Sequence, residues 1–207
     1  MKPHPLLSKN NQNEFRVKFD DHASDKLISK RLIELLPPSK YRTVVIVCIG
    51  TDRSTGDSLG PLVGTFLQET GLRRFQLYGT LDDPVHAVNL DEKLQLIHHT
   101  HFRPFIIGID ACLGKLSNIG SIKLGIGPVK PGAAVNKELS PVGDIHITGV
   151  VNVGGYMELL VLQNTRLNLV MKMAKQMANA IIKADKEYYD KMSFLQLEWD
   201  IDQESSI

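Results

Sequence analysis

The sequence predicts an α/β protein, a three-layer α/β/α sandwich in which helices cover both faces of a mostly parallel sheet. Three observations carry this expectation. Five apolar, β-branched runs recur along the chain, patterns of helical period separate them, and the runs are too continuously hydrophobic to leave one face in water.

In chain order, residues 1–22 are polar and mixed in charge and read as a flexible N-terminal arm. Ser24 opens a short amphipathic helix through Leu27, Ile28, Leu32, Leu35 and Leu36, and Pro37 and Pro38 stop it because proline lacks the N–H a helix needs. The run TVVIVCI at 43–49 is the first central strand, and further strands are expected at 75–81, 104–109, 121–126 and 145–151. Between them, Leu59 to Leu72 and roughly Asp91 to Thr100 have helical patterns. The segment Arg166 to Met192 spaces Leu169, Val170, Met173, Met177, Ala180, Ile181, Ala184 and Tyr188 by three and four residues, the signature of a core-packing helix rather than a methionine-lined groove. A single domain at 23–192 follows, with 193–207 as an acidic, frayed C-terminal tail.

Composition removes several classes of function. A formal net charge of +1, with basic residues scattered along the chain, gives no electrostatic footprint for nucleic acid. No run of about 18 apolar residues occurs and the N-terminus lacks a signal-peptide core, so a soluble, cytoplasmic protein with no membrane partner is expected. Two cysteines, Cys48 and Cys112, make neither a disulfide framework nor a four-ligand zinc site, and a reducing compartment fits them. The sequence leaves room for a homo-oligomer.

Ligands of open parallel sheets bind beyond the carboxyl ends of the strands, which directs attention to the loops after Ile49 and Ile109. The first, GTDRSTGDSLGP at 50–61, lacks Walker A spacing and has Asp57 where that motif has lysine. An acid there repels phosphate. Asp57 reads either as a cap for the helix starting near Ser58 or as half of a site. The second loop, GIDACLG at 108–114, puts Asp110 at the end of an apolar strand, where a carboxylate needs a partner or a ligand. Two such acids, about 4–6 Å apart, can hold one proton near neutral pH, so that one activates water and the other donates to a leaving group.

Other residues carry two readings each. Ser58 is a nucleophile activated by Asp57 or part of a helix cap, and Cys112 pairs with His146 or is a small buried residue. His98, His99 and His101 satisfy helix-end carbonyls or bind metal. Asp52 and Arg53 tune Asp57 or orient a peptide, or pair with each other or with solvent. Asp82, Asp83 and Asn89 fall in a loop after the second strand, where a substrate contact is a further option.

Three blocks in order, TGDSLGPLVG (55–64), GIDACLG (108–114) and GPVKPGAAVNKELSPVGDIHITGVV (127–151), resemble the bacterial spore germination protease family, and more closely its shorter sporulation-protein relatives. The resemblance runs from about residue 40 to 160 and implies a fold similar to that of hydrogenase maturation proteases. It implies a peptidase in the forespore or mother cell of a spore-forming bacterium, with small acid-soluble spore proteins as candidate substrates. The aspartate pair of that family falls on Asp57 and Asp110. In hydrogenase maturation proteases the corresponding acids, with a histidine, bind the substrate's metal. Here Lys130 stands where the germination protease has a histidine, and a protonated lysine is a poor ligand, so the resemblance implies no metal and no cofactor. Lys130 lowers a nearby carboxylate's pKa, contacts substrate or is solvated. Arg53, Ser58, Lys130 and Asn136 are the candidate substrate contacts, and backbone N–H groups opening the helix after Ser58 are candidate oxyanion donors. The alternatives are a metal-dependent or metal-sensing maturation-protease-like protein and a non-catalytic spore protein that binds a peptide or protein partner.

Overall fold

Alternation within the strands decides the architecture of the protein, which a computed structural model describes over residues 14–38, 41–132 and 139–204. Strand β2 (Val44–Cys48) is buried along its whole length. Successive side chains of a strand leave it on opposite faces. Val44, Ile46 and Cys48 therefore join one apolar cluster, and Val45, Val47 and Ile49 join another on the far side.

Around β2 the sheet holds β1 (Glu14–Lys18), β3 (Gln76–Tyr78), β4 (Phe105–Gly114), β5 (Ser121–Ile126) and β6 (Ile145–Val153), in the order β1-β5-β6-β4-β2-β3. Pairings β2–β3, β2–β4 and β4–β6 are parallel, whereas β5 runs antiparallel to both β6 and β1. The reversal has a length argument. Only residues 115–120 separate β4 from β5, and a parallel crossover needs a dozen residues or more. On one face lie α1 (Ser24–Leu35), α2 (Leu59–Thr70) and α5 (Leu167–Glu204), whose Ile28, Leu32, Val63, Leu67, Met173, Met177 and Ile181 fill the larger cluster. The other face is covered by α3 (Leu90–Thr100) through Leu90 and Ile97, with Val129 and Val142 beside it. The three-layer, mostly parallel sandwich expected from the sequence is present.

Differences from expectation are local. Residues 14–18, expected within the arm, form an edge strand because Phe15 and Val17 turn toward the larger cluster while Arg16 and Lys18 do not. The segment expected as a tail from 193 continues α5 to Glu204. Strand β4 passes Ile109 and runs to Gly114, so Asp110 sits within a strand rather than at its end. The cause is β6, which pairs with β4 as far as Val153. Among the described residues, no helix is long and apolar enough to cross a membrane.

Candidate active site

Gly50 begins the loop between β2 and α2 with φ +139°, and a Cβ there would stand 1.9 Å from the Asp57 carbonyl oxygen. Only glycine lets the two ends of the loop approach so closely. Thr51 N–H donates to Asp57 C=O at 3.2 Å, and Gly56 N–H donates to Leu162 C=O at 2.9 Å, tying the loop to α4 (Glu158–Gln163). At the start of α2, a Cβ on Gly60 would meet Ile49 C=O at 2.1 Å, so the helix begins hard against the carboxyl end of β2. These contacts hold Asp57 at the sheet's carboxyl edge.

Asp57 is half-buried, and burial raises its pKa above the ordinary 3.8, while the Thr51 backbone N–H and the charge of His86 pull it back. Asp110 is 7% exposed. Burial, and next the charge of Asp57, hold its carboxyl well above 3.8, against one hydrogen bond from Ala111 N–H at 2.8 Å. The charge of Asp57 thus acts on Asp110 from a segment distant in sequence, as a like charge in a poorly solvated site does. The arrangement favours a neutral Asp110 beside an Asp57 whose charge has local support.

The capping reading of Asp57 fares less well. Ser58 holds the N-cap position without a side-chain cap bond, and its hydroxyl donates to Thr55 C=O at 2.7 Å. That proton faces a carbonyl rather than a base, which argues against Ser58 as a nucleophile. Ser58 is also buried, leaving little of it for a substrate. Arg53 and Asp52 are exposed on the loop's turn, with no ion pair between them among the described residues. Lys130 is exposed and is not among the groups that act on either carboxylate, so its expected influence on their pKa is absent. Asn136 lies outside the described residues.

Cys112 meets Thr148 rather than His146, whose Nδ1 is 2.9 Å from Gly127 C=O. Burial first, and also Asp110, push the thiol up, outweighing Thr148, Lys123 and Arg16, so Cys112 stays protonated. His101 Nε2 contacts Tyr78 OH at 3.0 Å at the end of α3, away from the acids. Asp83 pairs with Lys93.

The residue missed by sequence reasoning is His86. It lies after β3, the edge strand of the parallel set, whose carboxyl end opens on the same edge as those of β2 and β4. Val85 bridges Ile49 and accepts from Gly50 N–H at 2.8 Å. Asn89 closes the turn, accepting from His86 N–H at 2.8 Å and donating to Pro84 C=O at 2.9 Å. His86 Nδ1 accepts from Val88 N–H at 3.3 Å. Among the described residues, no group of three or more His, Cys, Asp or Glu is arranged to hold a metal ion.

Asp110 leaves a signature in stability. Its folded-state pKa exceeds the unfolded value, so folding favours the proton. The group costs nothing below about pH 4 and destabilises progressively as the pH rises toward its folded value. Asp110→Asn retains an acceptor for Ala111 N–H and cannot ionise. We expect it to melt above wild type at pH 7, because it removes a group whose ionisation opposes folding. The gap should close as the pH falls toward about 4. Melting temperature followed against pH checks this; a gap that does not vary with pH contradicts it.

Comparison with known proteins gives three likenesses. The family model described as "Protein of unknown function (DUF1256)" matches residues 16–180. A Bacillus subtilis (strain 168) protein, "Uncharacterized protein YyaC", is 52% identical over 181 residues, covering 87% of this chain and 88% of that one. Among solved structures, the [NiFe] hydrogenase maturation protease HycI from Thermococcus kodakarensis KOD1 superposes with a TM-score of 0.52 at 18% identity, over 75% of this chain and 99% of HycI. That last likeness is one of fold.

Proposed function

The chain belongs to the DUF1256 family, and we propose that it is a peptidase in which Asp57 and Asp110 work as one acid–base unit. The observation that carries this is Asp110, a buried carboxyl raised both by burial and by the charge of Asp57. Structural groups rarely keep two mutually opposed acids at the ligand-binding edge of a parallel sheet. The peptidase-like fold, and the resemblance of the three motif blocks to the germination protease family, support the same reading.

In the proposed reaction, Asp57, ionised with support from Thr51 N–H, takes a proton from water as the water oxygen bonds to the scissile carbonyl carbon. Asp110, neutral, gives its proton to the departing amine nitrogen as the C–N bond breaks. The cycle leaves Asp57 protonated and Asp110 ionised, and return of one proton to Asp110 and loss of one from Asp57 restore the start. Small acid-soluble spore proteins in a sporulating cell's cytoplasm are the candidate substrates, on the motif resemblance alone.

One observation favours a second reading. A histidine beside the acids is what a metal-assisted maturation-type protease calls for, and His86 acts on Asp57. Among the described residues, however, no group of three such donors stands ready for an ion. The test is incubation of the full chain with small acid-soluble spore protein, with and without chelator. Cleavage that survives chelation supports the aspartate unit, cleavage abolished by it supports the metal-assisted reading, and absence of cleavage favours a non-catalytic peptide binder.

A further inference from the structure

Strand β4 outruns its neighbour. It pairs with β6 from Ile107 to Gly114 but with β2 only from Phe105 to Ile109. Peptide groups of alternate residues face alternate neighbours. Phe105 N–H donates to Thr43 C=O at 2.8 Å and Ile109 C=O accepts from Ile49 N–H at 2.7 Å, so the odd-numbered residues face the β2 side, whereas Gly114 C=O accepts from Gly154 N–H on the β6 side. Ala111 and Leu113 are the next residues in that orientation, and no strand lies opposite them among the described residues. The chain after Ile49 has turned away to pair with Val85. Ala111 N–H finds the carboxylate of Asp110 instead of a ladder partner. This leaves Ala111 C=O and Leu113 N–H and C=O on a half-exposed edge that begins at the acid pair.

An open edge of this kind is a template for one more strand. We infer that the substrate binds as an extended polypeptide segment added to the β2-side edge of β4 at Ala111–Leu113, with its scissile bond carried alongside Asp110. One substrate residue is bracketed there, its N–H donating to Ala111 C=O and its C=O accepting from Leu113 N–H. Main-chain pairing recognises an extended backbone whatever its side chains, so the substrate class is an unfolded or locally unfolded segment, and folded chains are refused. Tyr156, Met157, Leu159 and Leu160, exposed around α4 at the same end of the sheet, offer apolar surface to the side chains of such a segment. The inference deepens the peptidase reading and rests on it for the position of the scissile bond.

Leu113→Pro tests it, because proline removes the outward N–H while no ladder bond is lost, and edge positions of this type tolerate proline. Leu113→Ala controls for the side chain, and melting temperatures confirm folding. The probe is purified small acid-soluble spore protein with the full chain. Amide hydrogen exchange at Leu113 is expected to slow at least about fivefold on adding the probe to wild type. For hydrolysis, Leu113→Pro should raise KM at least about tenfold above that of Leu113→Ala, with kcat changed less. Hydrolysis without protection of Leu113, or equal kinetics for the proline and alanine variants, overturns the edge and leaves the peptidase reading standing. Protection without hydrolysis supports the edge and sinks the peptidase reading. Protection that appears without probe and rises with protein concentration means that a second copy fills the edge, and overturns the inference. Neither protection nor hydrolysis overturns both.

Discussion

Asparagine at position 57 or 110 is expected to lower kcat for peptide hydrolysis by about 10²–10⁴-fold, with KM within a few-fold of wild type. The substitution preserves shape and most hydrogen bonding, including the acceptor for Ala111 N–H, and removes only the ability to carry a proton in and out. Because the acids act as a unit, the double variant should be little worse than the weaker single one. The two losses also differ in origin. Without an ionised Asp57 nothing takes the proton of water, and without a neutral Asp110 the amine leaves unprotonated, so a substrate with a better leaving group should rescue Asp110→Asn more than Asp57→Asn. Steady-state kinetics on cleaved peptide checks both points; a single variant within tenfold of wild type removes that acid from the mechanism.

The second large effect is on stability and lies at Asp185. This side chain on α5 is 2% exposed, and its carboxylate accepts from the backbone N–H groups of Arg73, Arg74 and Phe75 at 2.6, 3.0 and 2.9 Å. It fastens the turn between α2 and β3 to the long helix. Asp185→Ala leaves these donors without their acceptor, and we expect a loss of about 2–4 kcal/mol, a fall in melting temperature on the order of 5–15 °C. Asp185→Asn keeps an oxygen for Arg74 and Phe75 but turns an amide toward Arg73 N–H, so an intermediate loss is expected. Urea and thermal unfolding check the order. Since β3 leads into the loop of His86, the alanine variant should also lose activity before it unfolds globally.

The strands buried on both faces were legible because nothing but a central strand explains TVVIVCI between two helical patterns. Asp110 stands out as a candidate for a related reason, since a carboxylate at the end of such a run lacks a packing role, whereas Asp57 reads in sequence either as a helix cap or as half of a site. What escaped depends on partners distant in sequence. Strand β1 hides in a polar stretch whose only signal is Phe15 and Val17, and it forms because β5 offers an antiparallel edge. The passage of β4 through Asp110 to Gly114 depends on the length of β6, which begins more than thirty residues later. Asp185 reads in sequence as one more solvated acid on a helix, and only the fold brings the 73–75 turn to it. His86 shares the loop of Asp82, Asp83 and Asn89 and carries no signal of its own in the sequence; only the parallel pairing of β3 with β2 brings that loop to the edge of the acids.

The claim that Asp57 and Asp110 form one acid–base unit is tested most directly by carboxyl-carbon NMR titration of Asp110 in wild type and in Asp57→Asn. In wild type Asp110 is expected to titrate well above the ordinary 3.8, and removal of the charge at position 57 should lower its midpoint while burial keeps it above that value. An Asp110 that titrates at the same pH in both proteins, or near 3.8 in either, would contradict the account.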